Sequence, residues 1–112
     1  EEKRLRSEAI QRATLFAAQI PLETMRSALE VFPLCKAMVE QGNPNSVSDA
    51  GVGALAARAA VLGAGLNVKI NAASLKDKEM AAKLVGEAES LISQAQVAES
   101  EILAKVREII AR

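Results

Sequence analysis

The chain is predicted to be all-α, an antiparallel helical bundle with one fully buried small-residue helix, and part of a larger all-α domain or dimer. Three observations predict this. Apolar residues recur at spacings of three and four through most of the 112 residues. No alternating run of β-branched residues marks a strand. From Gly42 to Val68 the only charged residues are Asp49 and Arg58, in a stretch made mostly of Ala, Gly, Val and Leu. A helix apolar on all sides needs neighbours on all sides.

The length allows one domain at most. Lys plus Arg is 14 and Asp plus Glu is 14. Zero net charge leaves no electrostatic footprint for nucleic acid or an anionic membrane, so neither is an expected partner. The single cysteine cannot form an intrachain disulfide, which makes a reducing compartment the default. Without histidine, His-based metal sites and Ser–His or Cys–His nucleophile pairs are excluded. No metal site is expected. Glu1 is preceded by no basic-then-apolar leader, so no signal peptide is expected. The chain reads as a piece of something longer.

The first helix is predicted over residues 1–20, with Leu5, Ala9, Ala13, Phe16 and Ile20 on its apolar stripe. Pro21 is expected to end it and to open a second segment. There Leu22, Met25, Leu29, Phe32, Cys35 and Val39 share a face, and Pro33 predicts a kink. Met38 and Met25 read as core filler and Cys35 as a small core residue. Gly42 suits a left-handed C-cap.

Residues 42–49, G-N-P-N-S-V-S-D, form the strongest loop signal. Ser46-x-x-Asp49 fits a capping box opening the next helix. That helix, over residues 50–71, carries the small-residue pairs Gly53/Ala57, Ala59/Gly63 and Ala60/Ala64, which favour close backbone approach. Arg58 near its centre would cost about 2.5–3.5 kcal/mol inside a bilayer, so a soluble, enclosed helix is expected. The partner of Arg58 must come from another element. The last helix spans residues 76–112, with a near-heptad seam of Leu84, Ala88, Leu91, Ala95, Ala98, Ile102, Val106 and Ile109. Because the flanking segments each offer one apolar stripe, enclosing residues 50–71 requires a further wall from upstream residues or a second copy.

Gly51-x-Gly53-x-x-Ala56 matches a dinucleotide-binding pattern. That pattern needs a preceding strand and an acid about 20 residues on. A Pro-Asn loop precedes it, and Asn71 stands at the acid's position, so these glycines are read as packing residues. Asn43, Asn45, Ser46, Ser48 and Asp49 cluster before a nearly charge-free helix. Capping alone explains part of this, and a helix N-terminus also suits anionic or carbonyl-bearing groups. Asn67 and Asn71, four apart around Lys69, either tie the helix end to backbone or line a polar pocket.

The runs G-N-P-N-S-V-S-D-A-G-V-G-A-L-A-A-R-A-A (42–60) and G-A-G-L-N-V-K-I-N (63–71) resemble the cyclodeaminase/cyclohydrolase family, as does A-T-L-F-A-A-Q-I-P-L (13–22). This family includes the cyclodeaminase domain of formiminotransferase-cyclodeaminase and the methenyltetrahydrofolate cyclohydrolases. The resemblance covers nearly the whole chain and weakens after about residue 75. It implies that residues 1–112 are the C-terminal portion of one such domain, lacking its N-terminal half. It also implies a dimeric, cytoplasmic enzyme of one-carbon metabolism with a folate substrate and no tightly bound cofactor. The implied chemistry converts 5-formiminotetrahydrofolate to 5,10-methenyltetrahydrofolate and ammonia, or interconverts the methenyl and 10-formyl forms with water. On this resemblance Asp49 and Lys69 are the catalytic candidates. Asn43, Asn45, Ser48, Asn67 and Asn71 are the substrate-binding candidates. The rival expectation is a non-catalytic helical oligomerisation module.

Overall fold

Pro21 does not end the first helix. In the computed structural model, which describes residues 1–112, α1 runs over Glu2–Leu29. Proline has no N–H for the carbonyl four residues back, here that of Ala17. That oxygen instead accepts a hydrogen bond from the Asn71 side-chain amide at 3.2 Å. The expected boundary is corrected accordingly, because the missing helical bond is replaced from another helix. The break comes at Glu30, and α2 spans Val31–Gln41. Pro33 lies in the first turn of α2, where N–H groups have no intrahelical acceptor to lose.

Gly42 ends α2 in extended conformation, with φ −83° and ψ −179°, not in the expected left-handed one. Glycine is needed there for close approach: an added Cβ would stand 2.4 Å from the Met38 carbonyl oxygen. A single 3₁₀ turn, Pro44–Ser46, follows. The helix α3 then spans Val47–Ala73. The predicted capping box does not form. Ser46 is the N-cap residue at φ −110° and ψ 11° and makes no side-chain cap bond, since capping needs the extended backbone it lacks. After a short turn, α4 spans Lys78–Ile110, and the Asp77 carboxylate caps it by accepting from the Met80 N–H at 3.1 Å. No strand is present.

α3 runs back along α1 and α2, and α4 returns along α3 and packs on both. The result is a rod of 69 × 17 × 15 Å with a radius of gyration of 18.3 Å, against about 13 Å for a compact chain of 100 residues. Its core is one continuous seam. Ala18, Leu22 and Met25 come from α1, Phe32, Cys35 and Val39 from α2, and the predicted seam from Leu84 to Val106 comes from α4. Met25 and Cys35 are buried as expected, while Met38 is 57% exposed. The predicted stripe of α1 is also corrected. Phe16 is 62% exposed and Leu5 and Ile20 point outward as well, because the α1 face turned to α3 and α4 carries Leu15, Ala18, Leu22 and Met25 instead.

α3 is not enclosed. Ala54, Val61 and Val68 are fully buried, but Val52, Leu66 and Ile70 on the opposite face are 63%, 68% and 69% exposed. Two neighbouring rods cover only one side of a helix that is apolar all round. The segment Pro44–Ala73 also has the length and composition of a membrane crossing; here its buried face is the central wall of the bundle.

Candidate functional site

The polar loop forms where α2 turns into α3. Asn43 is committed locally: its Oδ1 accepts from the Asn45 N–H at 2.9 Å and caps the 3₁₀ turn. The side chains of Asn45, Ser48 and Asp49 are exposed and have no hydrogen-bond or ion-pair partner within the chain. Asp49 stands in the first turn of α3, where the helix dipole favours its negative charge.

The second candidate cluster divides between two faces of α3. Asn71 donates to the carbonyls of Ala17 on α1 and Asn67, at 3.2 and 2.9 Å, so its amide is a structural tie between helices. Asn67 is exposed and faces a groove of about 700 Å³ between α1 and α3. Phe16, Ile20 and Thr24 form one wall of that groove, and Ala60 and Gly63 form the other beside Asn67. Lys69 lies about 200° around the helix from Asn67 and is ion-paired to Glu89 of α4. Lys69 and Asn67 therefore do not converge.

Asp49 and Lys69 are separated by twenty residues of one straight helix, about 30 Å. Asp49 and Asn67 are separated by about 27 Å on the same arithmetic. Within one chain the two polar ends of α3 are two places. The groove walls Phe16, Ile20 and Thr24 were not singled out as site residues. Phe16 and Ile20 belong to the apolar stripe that the sequence pattern points to the core, and Thr24 carries no local signal.

Arg58 finds its partner on α4: its Nε lies 3.3 Å from Glu99 Oε2. The Glu99 side chain is 13% exposed, and that oxygen has no hydrogen-bond donor. Burial pushes the Cys35 thiol pKa up from its ordinary value, which makes it a poor nucleophile at neutral pH. No three His, Cys, Asp or Glu side chains converge as a metal site would require.

The sequence matches the family model described as formiminotransferase-cyclodeaminase over residues 1–90. A methenyltetrahydrofolate cyclohydrolase of Methylorubrum extorquens is 41% identical over 95 residues, which cover 85% of this chain and 46% of that protein. A formimidoyltransferase-cyclodeaminase of Dictyostelium discoideum is 37% identical over 103 residues, covering 91% of this chain and 18% of that protein. The chain thus spans about half the length of the first relative and a smaller part of the second. A match over most of the chain, reaching through the polar loop and both ends of α3, establishes that it belongs to the formiminotransferase-cyclodeaminase family.

Proposed function

We propose that this chain is part of a cytoplasmic enzyme that interconverts C1-substituted tetrahydrofolates without a tightly bound cofactor. Either 5-formiminotetrahydrofolate closes to 5,10-methenyltetrahydrofolate with loss of ammonia, or the methenyl form takes up water to give 10-formyltetrahydrofolate. The observation that carries the reading is the family match spanning residues 1–90. The unpartnered Asp49, at the mouth of a helix whose other charges, Arg58 and Lys69, are both ion-paired to α4, supplies the group such chemistry needs. Both reactions pass through a tetrahedral carbon bridging two folate nitrogens, and each step moves a proton to a leaving nitrogen or from water. Among these 112 residues, which include no histidine, the groups suited to that task are a carboxylate or a lysine.

Asp49 is assigned the proton transfer. Lys69, once released from Glu89, would attract the substrate's glutamate tail or polarise the reacting carbon. Of the binding candidates, Asn67 lines a groove and Asn45 and Ser48 are free side chains, and these are assigned to the substrate; Asn43 and Asn71, already bonded within the chain, hold the two ends of α3 in place. The working form is a homodimer, and a domain of the relatives' length adds the N-terminal half. The test is turnover of 5,10-methenyltetrahydrofolate and 5-formiminotetrahydrofolate by a protein of that length, with folate binding measured in parallel. Asp49→Asn is expected to lower kcat by roughly 10²-fold or more, and Asn67→Ala to raise KM. Unchanged turnover and binding in both variants would overturn the assignment.

The open apolar face of α3 favours a second reading, a helical module that only assembles. It predicts a stable oligomer with no calorimetric response to any folate.

A further inference from the structure

The side-chain bonds that tie α3 to the bundle go to α4, with one exception. Arg58 and Lys69 pair with Glu99 and Glu89, and Lys78 reaches back to the Ala73 carbonyl. Only the Asn71 amide joins α3 to α1. The residues that α1 buries are the apolar Ala18, Leu22 and Met25. Apolar contact is non-directional and leaves two helices free to slide or roll. A hydrogen bond fixes both a distance and an angle.

That bond stands at one particular place. An amide nitrogen carries two hydrogens. In Asn71 it donates to the Ala17 carbonyl of α1 and to the Asn67 carbonyl of α3, at 3.2 and 2.9 Å. Ala17 and Asn67 line opposite walls of the same groove of about 700 Å³. Pro21 lines it too, and its missing N–H is what leaves the Ala17 carbonyl open. A proline inside a long helix thus frees the acceptor through which the two walls are joined.

We infer that Asn71 is a positioning residue: it touches no substrate itself, and through the bridge from Ala17 to Asn67 it sets where the Asn67 side chain stands against the Phe16 wall of the groove. Asn67 is exposed, and its own amide has no hydrogen-bond partner within the chain; only its backbone is held. Two asparagines four residues apart therefore divide the work, one meeting the ligand and the other aiming it. The inference rests on the reading of Asn67 as a substrate-binding residue. Asn67 stands about 27 Å along α3 from Asp49, so its placement bears on affinity and not on proton transfer at the carboxylate.

The experiment is steady-state turnover of both folates by Asn71→Ala, in the protein of the relatives' length described above. KM is expected to rise roughly tenfold, with kcat within about twofold of the wild type. In an Asn67→Ala background the same substitution is expected to raise KM no further, since the residue it places is gone. An Asn71 that bound substrate directly would raise KM again there. That result, or an unchanged KM in Asn71→Ala alone, would overturn the inference. If Asn71→Ala does not fold, the comparison is made in a Pro21→Ala background, where residue 21 returns a helical donor to Ala17. Adding Asn71→Ala there is expected to raise KM, and no rise would count against the bridge.

Hydrogen exchange reads the bridge without folate. Asn71→Ala is expected to speed exchange of the α1 and α3 amides flanking the groove by roughly threefold or more, and unchanged exchange would contradict the inference. Exchange that quickens in a protein inactive on both folates would support the bridge and overturn the folate reading alone.

Discussion

Gly53 and Cys35 fix how closely α2 and α3 approach: a methyl carbon added at Gly53 would stand 3.0 Å from Cys35 Sγ. Apart from the neighbouring residues and backbone of α3 itself, no other atom lies within 4 Å of that position, so across the helix contact the thiol alone sets the limit. Gly53→Ala is therefore expected to destabilise the fold by about 1 kcal/mol, because crowding of about 1–3 kcal/mol outweighs the helix-propensity gain. Cys35→Ala in the same chain should remove most of that crowding. Gly86→Ala, which meets nothing within 4 Å, should stabilise by about 0.5–1 kcal/mol. Urea denaturation of the variants checks the signs.

The Asn71 amide and Pro21 are predicted to be coupled. Asn71→Ala leaves the Ala17 carbonyl with neither its helical donor nor its substitute, and should cost about 0.5–1.5 kcal/mol. In a Pro21→Ala background, residue 21 regains an N–H and the same substitution should cost clearly less. A double-mutant cycle reads the difference. Additive effects would separate the two residues.

Arg58 and Glu99 should respond unequally. Arg58 is 40% exposed and can turn to water once Glu99 is removed, whereas Glu99, at 13%, cannot follow. Arg58→Ala should therefore destabilise at neutral pH by about 1–2 kcal/mol, discounted from a fully buried pair for the exposure of the guanidinium. Glu99→Leu should be near neutral. Equal losses from the two variants would contradict the asymmetry.

The thiol of Cys35 should resist alkylation in the native state, since burial raises its pKa. The linkage sign follows from the same cause. The native state holds the proton more tightly than the unfolded chain, whose thiol ionises near about 8.5. Stability from this group is fully present below that pH and declines as pH rises beyond it. Cys35→Ala should flatten that alkaline decline in a pH series of melts.

The all-α class, the extent of α3 and the seam of α4 were legible because 3.6-residue periodicity is a local property. The need of Arg58 for a partner on another element was legible from burial logic, and Glu99 fills it. What could not be read was which of two apolar faces on α1 would win. Phe16 and Ile20 look like core by size, yet the smaller Ala18 takes the buried position and they line the open groove instead. Pro21 looked like a boundary because its substitute donor lies 54 residues away in Asn71, beyond any local pattern. For the candidate site, the composition of the two polar ends was visible. Their separation by most of a helix, and the outward turn of Lys69 to Glu89, belong to geometry alone.

A rod only 15–17 Å across has little interior to hydrate when it melts. Both the heat-capacity increment and the denaturant m-value scale with newly wetted surface, so an isolated chain should unfold over a broad transition. Its heat-capacity change should fall below the roughly 1.2–1.5 kcal/mol/K usual for a domain of 100 residues. Any protein that seals the open side of α3 would sharpen that melt and raise its midpoint with concentration.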